Sequence, residues 1–176
     1  MRDEEIIQVQ LGRRPRGFLR VASRCPLGMP ETIVTCPVVP ARRGLDMPFE
    51  PFPTVFWLTC PGAIKAVSQL EAEGWISKFE SHMAEDHEAQ KQYEEAARSY
   101  AALRRTLLTE EQLEWLNAHH PSWYEVISNS GIGGILEGSG GLKCLHAHYA
   151  DYLARGNNPI GRWVYQLLVG VYGYSG

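Results

Sequence analysis

Lys143-Cys-Leu-His-Ala-His-Tyr-Ala150 sets one thiol and two imidazoles within five residues, a density of reactive side chains found nowhere else in the chain. On a helix, residues four apart share a face, so Cys144 and His148 are placed to hold one metal ion while His146 points away. If the helix begins only at His146, Cys144 belongs to the incoming loop and all three side chains converge. Zinc and iron both accept thiolate and imidazole. Two further ligands would come from Cys25 and Cys60, each followed by a proline at a turn. The expected metal set is therefore Cys25, Cys60 and Cys144 with His146 or His148, holding zinc or an iron–sulfur cluster. The competing expectation is that Cys144 and one histidine pack in the core, as free cysteine often does.

Cys60 carries a second chemistry. The apolar run Thr54-Val-Phe-Trp-Leu-Thr59 reads as a buried strand, and Pro61 suits the first position of a helix, which makes Cys60 the N-cap. A thiol there meets unpaired N–H groups and the positive end of the helix dipole, which favour thiolate. Cys60 as nucleophile, a histidine (His146 or His148) as base, and Arg20 and Arg24 near Cys25 as anion binders describe a thiol enzyme acting on an anionic substrate. A phosphatase loop is excluded, because Ala66 stands where its arginine would be. The glycine-rich SGIGGILEGSGG of residues 130–141 has neither the Gly-Lys-Ser/Thr ending of a Walker A motif nor a G-x-G-x-x-G in a strand-to-helix unit. It reads either as an anion-binding loop or as a close-packing loop that brings Lys143 to His148 inward.

The elements that must position these groups divide the chain. Residues 1–16, acidic and then RRPR, form a polar arm, and residues 17–176 form a single domain. GFLRVA and TIVTCPVV, separated by turn formers, predict a β-hairpin over Gly17 to Val39, with Pro37 ending or edging the second strand. Residues 40–53, with four prolines, predict a connecting loop. After Pro61, apolar residues at Ile64, Val67, Leu70 and Ile76 recur at helical spacing, with Gly74 bending or ending the helix. Residues 77–118 predict one or two exposed acidic helices broken near Thr106 to Thr109, where Thr109-Glu-Glu-Gln112 opens a capping box. A helix over Leu142 to Ala154 and an apolar one from Ile160 to Val171 close the chain. The fold class expected is α+β: a small antiparallel sheet of about three strands from the first third, packed against helices.

Composition bounds the rest. A chain of 176 residues with 44% hydrophobic and 21% charged residues can bury its own core. MRDEEIIQVQ carries no secretory pattern, and the longest apolar run, near Val164 to Val171, is far short of the roughly 20 residues that cross a membrane. Four cysteines without a C-x-x-C pair are expected to be reduced thiols in the cytoplasm. A net charge of −3 argues against general affinity for nucleic acid, although arginines 13, 14, 16, 20, 24, 42 and 43 make the first quarter basic. A small anionic ligand, or a protein partner docked on the acidic helices or on VYQLLVGVYGYSG at the C-terminus, are the remaining candidates.

GFLRVASRCPLGMPETI, PFPTVFWLTCP with VSQLEAEGWI, GIGGI, and KCLHAHYADYLARGNNPIG together resemble the bacterial family called domain of unknown function 501. The resemblance runs from Gly17 to Gly161 and implies a bacterial cytoplasmic protein. Cys25, Cys60, Cys144, His146 and His148 lie in the matching blocks, whereas Cys36 falls where the family pattern has no cysteine. The resemblance brings no reaction, cofactor or catalytic residue with it. It strengthens the expectation that the four blocks meet.

Overall fold

The hairpin read from the sequence is present in the structure, a computed structural model whose described residues are 2–44, 46–135 and 141–170. Strand β1 (Phe18–Arg24) runs antiparallel to β2 (Pro30–Thr35), with Val21 opposite Ile33. The chain then makes a smaller ribbon, β3 (Val38–Pro40) against β4 (Phe49–Pro51), before β5 (Phe56–Leu58) joins the other edge of β2. The main sheet is therefore ordered β1-β2-β5. Pro37 does end the second strand. The proline-rich connection, expected to be loop, contains β4, which sequence pattern hides because Pro48 precedes a strand only three residues long and Pro51 is its last residue.

Helices supply the rest, and the class is α+β. They are α1 (Asp3–Leu11), α2 (Pro61–Ala72), α3 (Trp75–Glu85), α4 (His87–Thr106), α5 (Glu110–His119), α6 (Pro121–Asn129), α7 (Leu145–Arg155) and α8 (Pro159–Gly170), with a 3-10 turn at Ile132–Gly134. Gly74, at φ 78°, separates α2 from α3, as its position predicted. Thr109 accepts the Gln112 N–H and Gln112 returns the bond, closing the expected capping box at α5.

Strand alternation sends Val34, Phe56 and Leu58 to one face of the sheet, where they meet Val67 and Leu70 of α2, Tyr100 of α4, Leu145 and Tyr149 of α7, and Ile160 and Val164 of α8 in one core. Helix α4 is thus a central element rather than the exposed acidic helix its composition predicted. Apart from Tyr100, its buried stripe is built of Ala89, Ala96, Ala101 and Arg104, small or charged residues that give little hydrophobic signal. Arg104 is fully buried and donates to the carbonyls of Pro53, Val126, Ile127, Ser130 and Gly131, fastening the last turn of α6 to the strand connection. The residues expected to be a polar arm include a helix: α1 lies along β2 with Ile7 fully buried, tied by Gln10 to Pro30 O at 2.8 Å.

Candidate functional site

Helix α7 starts one residue before the latest start the sequence allowed. Cys144 is its N-cap, with extended backbone (φ −163°, ψ 119°), so its side chain does not follow the helical repeat. The i,i+4 pairing of Cys144 with His148 therefore does not form, and Cys144 meets His146 instead, Sγ to Nδ1 at 3.7 Å. The third member is Glu71 of α2, whose Oε1 lies 3.2 Å from His146 Nδ1. One donor atom from each of Glu71, Cys144 and His146 lies within 4.8 Å of the other two, and this is the metal-compatible group of three among the described residues.

The framework of this cluster is built from α2. Ile64, Ser68 and Glu71 fall at i, i+4 and i+7, one helical face. The His146 ring lies along that face: Nε2 is 3.2 Å from the Ile64 carbonyl and 3.1 Å from Ser68 Oγ. A carbonyl can only accept, so Nε2 carries a proton and donates it there, which turns Nδ1 toward Cys144 and Glu71. Glu71 Oε1 also accepts the Leu145 N–H at 2.7 Å, and Glu80 Oε1 accepts that of Leu142 at 2.8 Å. Two carboxylates thus hold the segment that delivers Cys144, one of them at the positive end of α7. His146 is pushed up to about 9, first by its hydrogen bond with Cys144 and further by the charge of Glu71, against burial acting the other way. The site is partly open, with the side chains of His146 and Glu71 24% and 27% exposed.

His148 points to the opposite side of α7 and is fully buried. Its Nδ1 accepts from Asn158 Nδ2 at 3.3 Å, and Nε2 has no hydrogen-bond partner among the described residues. Burial pushes it down to about 4. Asn158 Nδ2 also donates to Asp151, which receives two bonds from Arg155 at 2.6 and 3.0 Å. This is a buried polar seam between α7 and α8.

The other sequence candidates lie elsewhere. Cys25 sits in the β1–β2 turn, its N–H bonded to Met29 O at 3.0 Å. Cys60 is the N-cap of α2 with Pro61 following, as read, and lies one turn before Ile64. Neither Cys25, Cys60 nor His148 belongs to the Glu71 group among the described residues. Arg24 pairs with Asp3 of α1 at 2.7 Å, and Arg20 is exposed on the edge strand β1. Glu71 was missed by the sequence reasoning. Its signal was the Ile64-Ser68-Glu71 face, overlooked beside the apolar stripe of the same helix. Part of the glycine loop, residues 136–140, and the last residues of the C-terminal apolar segment, 171–176, lie outside the described residues.

The model of the family described as "Protein of unknown function (DUF501)" matches residues 21–166. The chain belongs to this family. The DUF501 span takes in Glu71, Cys144 and His146 together with Cys25, Cys60 and His148, and leaves α1 outside. No match was found among curated proteins or among solved structures. No helix among the described residues is long and apolar enough to cross a membrane.

Proposed function

We infer that the chain binds a divalent transition metal, zinc before others, through Cys144 Sγ, His146 Nδ1 and a Glu71 carboxylate oxygen. The observation that carries this is the convergence of one sulfur, one nitrogen and one oxygen donor while the other imidazole nitrogen is tied to a backbone carbonyl, the outer-shell arrangement that orients metal-binding histidines. The spacing also fits. Bonds of about 2.3 Å to sulfur and about 2.0 Å to nitrogen and oxygen, at tetrahedral angles, put S and N about 3.5 Å apart and N and O about 3.3 Å apart. The corresponding separations here are 3.7 and 3.2 Å. One thiolate suits zinc better than an iron–sulfur cluster, which commonly takes four. Three protein ligands leave a fourth position for water, whose activation supports hydrolysis. None of the four cysteines is joined in a disulfide, which supports a cytoplasmic setting.

The test is elemental analysis of protein purified without chelator, followed by cobalt substitution. One equivalent of zinc and a thiolate-to-cobalt charge-transfer band are expected, both lost in Cys144→Ser and weakened 10- to 100-fold or more in affinity by Glu71→Gln, on the scale of ligand and outer-shell changes. A folded protein that holds no zinc and gives no cobalt band overturns the proposal.

A second reading is favoured by the raised His146. An imidazolium beside Cys144, at the N-terminus of α7, is the setting of a nucleophilic thiol, with Cys144 in the role expected of Cys60. Alkylation of metal-free protein at neutral pH separates the two. Faster labelling of Cys144 than of Cys60, abolished by His146→Gln, supports it, and equal slow labelling removes it.

A further inference from the structure

The eight arginines of the first quarter are not equivalent once the chain is folded, and Arg2 pairs with Glu5 of α1. Arg24 is committed to Asp3. Arg16 and Arg42 both grip Glu50, which is only 7% exposed, the Arg42 contact being 3.1 Å. One buried carboxylate therefore draws two segments together, Arg13-Arg14-Pro15-Arg16 after α1 and Arg42-Arg43 after β3. Glu50 neutralises one of these five guanidiniums. Arg13, Arg14 and Arg43 have no carboxylate partner among the described residues, and all five arginines are exposed.

Arg13 lies over the Trp57 ring at 5.4 Å, and Trp57 stacks on Phe52 with centroids 5.3 Å apart and planes 29° from parallel. Both aromatic residues are partly exposed, so a cationic patch adjoins an aromatic pair. Every cation in residues 1–64 is arginine, while all four lysines, Lys65, Lys78, Lys91 and Lys143, fall later in the chain. Guanidinium presents the planar fork that matches phosphate oxygens, and it also stacks on aromatic rings. The acidic start of α1 stands at the far end of that helix, about 14 Å from Arg13 at 1.5 Å per residue. That exceeds the screening length of about 8 Å at physiological salt. The net charge of −3 thus conceals a locally positive face.

We propose that the arginine face formed by residues 13–16 and 42–43, with Phe52 and Trp57 beside it, binds single-stranded nucleic acid. The guanidiniums take the phosphates and the aromatic pair takes a base, the combination that sequence-tolerant single-strand binders use. An acidic protein segment would use the charges but not the aromatic pair. The surface lies on the sheet side carrying Trp57, remote in sequence from the Glu71-Cys144-His146 cluster, and it stands independently of the metal proposal.

The experiment is fluorescence anisotropy of a labelled oligouridylate with the full chain over a salt series. With about 0.7 of a counterion released per phosphate on a single strand, four net guanidiniums predict a log–log salt slope near −3. Arg14→Glu/Arg43→Glu, both exposed and unpaired, is expected to weaken binding at least tenfold while circular dichroism and melting stay unchanged. Trp57→Leu is expected to weaken binding severalfold with the salt slope preserved. Absence of binding at low salt, or binding unaffected by the double reversal, overturns the proposal. Equal competition by oligoglutamate of the same charge, or self-association of the chain that the double reversal abolishes, gives the face another occupant and overturns it as well.

Discussion

His146 and His148 are two residues apart, yet the fold moves them in opposite directions. His146, pushed up to about 9 by Cys144 and Glu71, binds a proton more tightly in the folded chain than in the unfolded one. Its contribution is complete below the unfolded value of about 6.5 and fades as pH rises toward 9. His148, pushed down to about 4 by burial, gives the mirror case. Between about 6.5 and 4 the unfolded chain takes up a proton that the folded one refuses, so stability falls as pH drops through that window. At about 1.4 kcal/mol per pH unit this reaches at most about 3 kcal/mol. Metal-free protein is therefore expected to be most resistant to urea near pH 6.5. His148→Gln should flatten the acid limb relative to the parent, and His146→Gln the alkaline limb. Parallel pH curves for parent and variants would contradict these assignments.

At the scale of elements, the junction of α7 and α8 depends on two glycines with different reasons for being glycine. A Cβ on Gly161 would stand 2.2 Å from His148 O and 2.4 Å from Tyr152 Cβ, so α8 can approach α7 only without a side chain there. The same residue donates its N–H to Asn158 Oδ1 at 3.0 Å, which ties the start of α8 to the polar seam with Asp151 and His148. Gly156 has open space around it and a φ of +76° as the C-cap of α7. Gly161→Ala is expected to cost about 3 kcal/mol or more through forced separation of the helices. Gly156→Ala should cost only about 1 kcal/mol of left-handed strain. Urea titration of both variants checks the ordering, and equal losses would argue against a close α7–α8 contact.

For the whole molecule, the order of layers is α1, then the three-stranded sheet, then the remaining helices. The helical side carries the large core, while α1 covers the side to which alternation sends Ile33, itself 1% exposed. Burying Ile7 makes α1 part of the folded body rather than an appendage. Ile7→Ala is accordingly expected to lower stability by about 2–5 kcal/mol, the range for truncating a buried isoleucine. A mobile arm would give no change in the urea midpoint. The same layering explains the charge distribution, since α1 ends where Arg13 begins and delivers the arginine segment beside Trp57.

The hairpin, the break at Gly74, the Cys60-Pro61 helix start, the capping box at Thr109 and the α+β class were legible in the sequence because each rests on local physics: turn residues, fixed proline φ, side-chain caps and periodic apolar spacing. Two members of the cluster, Cys144 and His146, were legible from their density within a single stretch. What stayed hidden required neighbours far along the chain. Glu71 enters the cluster because α2 lies against α7, and neither Cys25 nor Cys60 belongs to it among the described residues. The start of α7 at Leu145 frees Cys144 from helical geometry and so selects His146 over His148, a choice of one residue in helix register that no local spacing rule could make. Burial, which drives His148 down and makes α4 a core helix, is a property of what packs against a residue. Local propensity determined most elements of this protein, α1 and β4 excepted, and only their tertiary packing decided which polar side chains share a site.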